Sequence, residues 1–311
     1  MKNKLLSLIS LTVLLASCGG TTGKSKLSIV TPTGAPALAF YDYASASNFE
    51  TNSVPTNIVA MMAGGQKDIV VLPTNAGMQA IIKNNVSYKI AATITFGNFY
   101  IVSMNNDDNN VMDAGDQILL FQQNNVPDKL FHYVYGNDLD AGIHYANAVS
   151  DAATAIMSGS FIDGDDTIVP NYVLVAEPVL TNVLSKKQAV SVYANIQEKY
   201  KEKSGDKEIF QASVFVNNKT DRKEANSFLS SLKEDIEAAI AHPEKFSEGM
   251  NKAGETAQEV FGVVPSMAES VMRNNNGMGL GFKYAKDNKD GIANFLSLFN
   301  INEIPETVYF E

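Results

Sequence analysis

Residues 26–46 read KLSIVTPTGAPALAFYDYASA. The short apolar run of Leu27, Ile29 and Val30 has the pattern of a buried strand. Thr31-Pro32-Thr33-Gly34 follows as a tight turn. Pro36, suited to a first helical position, then opens a helix rich in Ala and aromatics. A strand that ends in a turn at a helix N-terminus presents unpaired backbone N–H groups and a positive dipole end. Such a junction can hold a polar or anionic ligand. The device recurs in DIVVLPTNA (68–76), QILLFQQNNVPD (117–128) and NYVLVAEPV (171–179). Four junctions of this kind are the parts of an α/β protein that binds something at its strand ends.

Outward from these junctions, strands are expected at 48–54, 67–72, 87–96, 99–104, 118–122, 142–146, 172–175, 190–193 and 211–216, with helices at 55–63, 75–84, 127–135 and 150–158. Gly97-Asn98 breaks an otherwise continuous apolar run and reads as a crossing between two lobes, with a return near Asn217-Asn218. The segment 198–206, EKYKEKSGD, reads as a charged exposed loop or helix end. Residues 221–241 carry the longest helical stripe, Phe228, Leu229, Leu232, Ile236 and Ile240, with Asp221 as its cap. Further helices are expected at 243–252, 255–260, 265–273 and 286–299.

The chain begins MKNKLLSLISLTVLLASC, with Lys2 and Lys4 ahead of an apolar core too short to span a bilayer comfortably. Leu-Ala-Ser-Cys at its end resembles the lipobox of bacterial lipoproteins. That resemblance implies cleavage after residue 17 and lipidation of Cys18, with residues 18–25 as a flexible tether. Cys18 is the single cysteine of 311 residues, so no disulfide or thiolate site is expected in the mature fold. The product would be extracytoplasmic and held on the membrane by its lipid.

Loss of Lys2 and Lys4 leaves 22 basic against 34 acidic residues and takes the net charge from −10 to about −12. An acidic, Trp-free chain argues against nucleic acid and against a basic membrane patch. About 290 mature residues suffice for two lobes. No catalytic constellation, cofactor motif or metal-ligand spacing stands out. His132, His144 and His242 are scattered, NDDNN (106–110) lacks the glycine and terminal glutamate of an EF-hand, and GMGLG (277–281) reads as an ordinary loop.

TPTGAPALAFYDYA, AMMAGGQKDIVVL (60–72), ITFGNFYIVS (94–103), NVPDKLFHYVYGNDL (125–139), VLVAEPV (173–179) and QASVFVN (211–217) together resemble the periplasmic-binding-protein-like type II fold. The group in question is the solute-binding proteins for nitrate, taurine, alkanesulfonates and thiamine precursors. The resemblance implies a two-lobed α/β fold with a ligand cleft between lobes joined by two crossing segments. Lobe I would comprise 26–98 and 218–311, and lobe II 99–217. It also implies a monomer that captures a small solute and delivers it to an ABC transporter permease, without catalysis or cofactor. The family's Gly-rich turn before the second-lobe helix is here Gln122-Gln123-Asn124-Asn125, which replaces a bare nest of backbone groups with side-chain amides.

Candidate ligand contacts lie at the junctions and the crossing. Thr33 can donate or accept, and Tyr41 can stack on a flat ligand. Thr74 and Asn75 follow a buried strand, and Asn98 sits at the crossing. Gln123 and Asn125 would face them from the other lobe, and Glu177 can accept from an amine or ring N–H. Each also has a plainer role, helix capping for the Thr, Asn and Glu residues and core packing for Tyr41. Amides and hydroxyls with one carboxylate favour a neutral or amino-bearing solute such as a pyrimidine-like ring, with an alkanesulfonate as the alternative drawn from the family. Two other readings stay open: an enzyme on the same fold, with pyrimidine- or chorismate-type chemistry, and a ligand-less sensor or interaction lipoprotein.

Overall fold

The computed structural model describes residues 25–104 and 111–311. The leader, Cys18, the tether through residue 24 and the NDDNN turn lie outside the described residues. The chain opens with β1 (Ile29–Pro32), α1 (Ala35–Leu38), β2 (Phe49–Asn52), α2 (Pro55–Ala63), β3 (Ile69–Pro73), α3 (Thr74–Asn84) and β4 (Tyr88–Thr95). It crosses into β5 (Phe99–Ser103), β6 (Gln117–Phe121), α4 (Val126–Tyr135), β7 (Gly142–Ala146), α5 (Val149–Ser158), β8 (Phe161–Asp163), β9 (Asp166–Ile168), β10 (Tyr172–Ala176), α6 (Val179–Lys186), β11 (Ser191–Asn195) and α7 (Ile196–Ser204). It returns through β12 (Ala212–Asn217), α8 (Arg222–Ala241), α9 (Glu244–Met250), α10 (Ala257–Phe261), α11 (Pro265–Arg273), β13 (Leu280–Tyr284) and α12 (Lys289–Ser297).

Two large sheets result, one of six strands in the order β13-β4-β12-β3-β1-β2 and one of five in the order β11-β5-β10-β6-β7, beside a separate two-stranded β8-β9 sheet. Strands β1, β2 and β3 run parallel, as do β6, β7 and β10, so the helices that follow them start from one edge of each sheet. β3 and β12 are interior strands, β3 buried from Ile69 to Leu72 and β12 over its whole length, and apart from Ser213 and Asn217 of β12 both are apolar. The long stripe of α8 packs on this sheet with Phe228, Leu229, Leu232 and Ile236 buried and Ile240 half-buried. Burial of each such side chain is worth about 1.5–3 kcal/mol. Asp221 caps α8, its Oδ1 accepting from Glu224 N at 2.9 Å.

Several expectations are corrected. The first helix lasts a single turn and gives way to a 3-10 turn at Tyr41–Tyr43. That bend brings Phe40 and Tyr43 together into one aromatic cluster with Phe49 and Phe228; the Phe40 and Phe49 rings stack at 5.6 Å. The charged segment at 198–206 is largely helix, since Asn195 accepts from the amides of Gln197 and Glu198 and starts α7 early. The β8–β9 hairpin and β13 are strands that the polarity of their residues concealed. β12 hydrogen-bonds between β3 and β4, so the return crossing precedes it, at 209–211, instead of following it at Asn217-Asn218.

The two crossings pack on each other. Phe96 and Phe210 meet edge to face at 5.8 Å. Phe96 N donates to Gly279 O at 2.8 Å, and a Cβ on Gly279 would lie 1.9 Å from the Gly97 carbonyl oxygen. GMGLG thus lets two backbones touch at the first crossing. On the other side Gln197 of α7 lies against Gly97 and accepts from Phe99 N at 2.8 Å.

Candidate functional site

The crossings lie where β1 and β3 end in the first sheet and where β6, β7 and β10 end in the second. In the first sheet β12 begins beside the ends of β3 and β4, Ala212 pairing with both Pro73 and Thr95. Side chains alternate along a strand, so Gln211 and Ser213 share one face of β12. Ser213 Oγ bonds Thr74 Oγ1 of α3 at 2.7 Å and Thr93 Oγ1 of β4 at 2.9 Å, which sets that polar run on the α3 side. Main-chain bonds tie its end together, Thr74 N donating to Gln211 O and Gln211 N to Thr95 O, each at 3.0 Å.

The run continues across the hinge. Gln211 Nε2 donates to Asn98 Oδ1 at 3.3 Å, and Asn98 Nδ2 donates to Glu177 O at 2.9 Å. Glu177 N in turn donates to Asn98 O at 2.9 Å. Three side-chain atoms on or beside this path are buried without a hydrogen-bond partner: Gln211 Oε1, Asn75 Oδ1 next to Thr74, and Thr95 Oγ1, whose residue meets the path only through its carbonyl. A buried unpaired polar atom costs about 1–3 kcal/mol. All three belong to residues at or near the ends of β3 and β4 and the start of β12.

The second-lobe edge is electronegative. Glu177 is 4% exposed, and burial raises its carboxyl above the ordinary glutamate range while hydrogen bonds from Thr181 N and Oγ1 act to lower it. Burial and then the Glu177 charge raise the Tyr100 hydroxyl. At α4, Asp128 is 3% exposed; its Oδ2 accepts from Asn124 N at 2.7 Å and its Oδ1 from the Tyr145 hydroxyl at 2.9 Å. His132 Nε2 stands 3.2 Å from that Asp128 oxygen and 3.2 Å from the Tyr145 oxygen. The Tyr145 hydroxyl is pushed up to about 12 by burial first and by Asp128 second, while a hydrogen bond with Gln123 lowers it. The turn at 122–125 keeps the left-handed geometry that glycine favours, with φ of 55° at Gln122 and 65° at Asn124.

The structure gathers Thr74, Asn75, Asn98 and Glu177 into one connected region. Thr74 and Asn98 are links of its hydrogen-bond chain, Asn75 ends in an unpartnered oxygen, and Glu177 caps α6. Gln123 and Asn125 are exposed on the second-lobe turn. Thr33 is half-buried at the end of β1, where Gly34 N is occupied by Phe261 O at 3.0 Å. Tyr41 stands apart, its ring edge-on to Phe246 at 5.2 Å and its hydroxyl donating to Asp235 O at 3.4 Å. Thr93, Thr95, Gln211, Ser213 and Asp128 were missed from sequence. Their signal was polar residues two apart inside apolar runs, Thr93 with Thr95 and Gln211 with Ser213. Among the described residues no group of three His, Cys, Asp or Glu side chains is placed to hold a metal ion.

No family model matches the chain, and no curated protein matches it. Solved structures do. An ABC transporter structure from Parabacteroides distasonis superposes with a TM-score of 0.70 at 19% identity, over 91% of this chain and 97% of the other. The periplasmic aliphatic sulphonate binding protein SsuA from Escherichia coli gives 0.64 at 10%, over 88% and 86%. The desulfurization enzyme DSZB gives 0.55 at 9%, over 90% and 95%. One architecture thus serves a binding protein and an enzyme, so the site must decide between them. The chain has the two-lobed α/β fold of periplasmic binding proteins.

Proposed function

We propose that this chain is an extracytoplasmic solute-binding lipoprotein, a monomer anchored through Cys18, that captures a small polar solute and delivers it to an ABC transporter permease. The lobes of this reading are 26–98 with 212–311, and 99–211, closing on the solute about the two crossings by hinge motion. Thr74, Asn75, Asn98, Gln211 and Thr95 would hold the solute from the first lobe and hinge, with Gln123, Asn125 and the region of Glu177 facing it from the second. The observation that supports this most is the trio of buried, unpartnered atoms at Asn75, Thr95 and Gln211. A pyrimidine-like heterocycle would present ring and amino N–H groups to them.

A native mass spectrum of the mature protein taken from its cells tests the reading. A single stoichiometric small-molecule adduct, lost on denaturation, is the expected result. A bare mass, together with no thermal shift across a broad solute library, would overturn it. The alternative, an enzyme on this fold, has the Asp128–Tyr145–His132 cluster in its favour. Turnover of the bound solute by the purified protein would establish it.

A further inference from the structure

The neighbouring sulphonate-binding protein raises the question of charge, and the second lobe answers it with its own carboxylates. Strands β6, β7 and β10 run parallel and each feeds a helix from the same sheet edge, the edge at the crossings. At an unoccupied helix start the amides and dipole would attract an anion. Here a carboxylate of the chain itself stands at each start. Asp128 Oδ2 takes Asn124 N, two residues ahead of α4, Asp151 Oδ2 takes Ala148 N, the residue before α5, at 3.0 Å, and Glu177 takes Thr181 N in the first turn of α6 at 3.0 Å. Two of the three carboxylates, Asp128 and Glu177, are nearly fully buried. A sulfonate or phosphate brought to this edge would meet the like charge of carboxylates standing beside those amides.

The first-lobe side carries an independent observation. Asn98 Nδ2 is committed to Glu177 O, which leaves Asn98 Oδ1 to accept from Gln211 Nε2. That sequence of bonds fixes the sense of the Gln211 amide, so its unpartnered atom is the oxygen, an acceptor. Asn75, 7% exposed, adds a second unpartnered amide oxygen, and Thr95, fully buried, a hydroxyl. Acceptors on one side and carboxylates on the other call for donors on the ligand.

We infer that the solute is an uncharged or cationic molecule that presents N–H donors to Gln211 Oε1 and Asn75 Oδ1 and carries no sulfonate, sulfate or phosphate group. This rests on the solute-capture reading above.

The test uses the full mature protein, freed of bound solute by exhaustive dialysis. It is then loaded from the small-molecule fraction of its own cells beside Gln211→Met and Thr95→Val variants, with occupancy read by native mass spectrometry and the released solute identified. The expected result is an N–H-bearing solute without a strong-acid group. Its occupancy at limiting solute should fall about tenfold in Gln211→Met, the loss of one hydrogen bond, with the melting temperature retained. Release of a sulfonate, sulfate or phosphate overturns this inference and leaves solute capture standing. An N–H-bearing solute whose occupancy is unchanged in both variants overturns the assignment of these acceptors. Absence of any adduct on the parent protein overturns solute capture itself, and this inference with it.

Discussion

Replacement of Gly279 by alanine separates two costs that usually travel together. Gly279 has φ of +62°, and a Cβ there would stand 1.9 Å from the carbonyl oxygen of Gly97. Gly164, at the tip of the β8–β9 hairpin, also has φ of +62°, with nothing within 4 Å of its Cβ position. The left-handed backbone alone costs a non-glycine residue about 1–2 kcal/mol. Overpacking against backbone, which moves only with the hinge strand, adds about 1–3 kcal/mol. Gly164→Ala therefore loses about 1–2 kcal/mol and Gly279→Ala about 2–5 kcal/mol. For a chain of this size the melting temperatures drop by about 2–3 °C and about 4–8 °C respectively. Differential scanning calorimetry of the two variants and the parent measures this directly. Solution scattering of Gly279→Ala should also show an altered lobe arrangement, because the new methyl group displaces the crossing at Gly97. Equal melting shifts for the two variants would refute the claim that Gly279 exists to let the hinge backbones touch.

Other outcomes follow from the same geometry. Thr95→Val removes a buried, unpartnered hydroxyl, so the unliganded protein should gain up to about 1 kcal/mol in denaturant titration while binding solute more weakly. Thr74→Val breaks the bond to Ser213 and should cost about 1 kcal/mol, read the same way. Burial raises the folded-state carboxyl of Glu177, so the folded state holds that proton to higher pH than the unfolded chain does. Its contribution to stability consequently falls as pH rises from the ordinary value of 4.5 through the raised one. Stability of Glu177→Gln followed across that window should lack this decline, and an unchanged slope would contradict the assignment. Cys18→Ser should move the protein from the membrane fraction to the soluble extracytoplasmic fraction on cell fractionation.

Much of the architecture was legible because hydrophobic period is local. The runs at β3, β4 and β12 announce interior strands, Pro55 and Pro127 mark helix starts, and the Phe228–Ile236 stripe marks α8. β13, LGFKY, and the β8–β9 hairpin were hidden because edge strands bury little and so carry no apolar run. The first helix was read too long because the geometry there is set by packing on Phe49 and on Phe228, the latter far along the chain from Phe40. Tyr41 offered a stacking surface in one dimension and turned out to face Phe246 in three.

The sequence by itself determined the two-lobed α/β organisation, the break at Gly97-Asn98 and the placing of Thr74, Asn75, Asn98 and Glu177 at strand ends. These follow from residue order and period, which the chain carries locally. Only the tertiary structure decided that Gln211 joins the polar run and that Thr95 lies beside it. It also decided that GMGLG is a contact with the backbone of the crossing at Gly97, and that Asp128, Asp151 and Glu177 stand at the second-lobe helix starts. Hydrogen-bond satisfaction is the reason: whether a donor or acceptor is spent depends on partners brought together from both ends of the chain, and no local pattern records it.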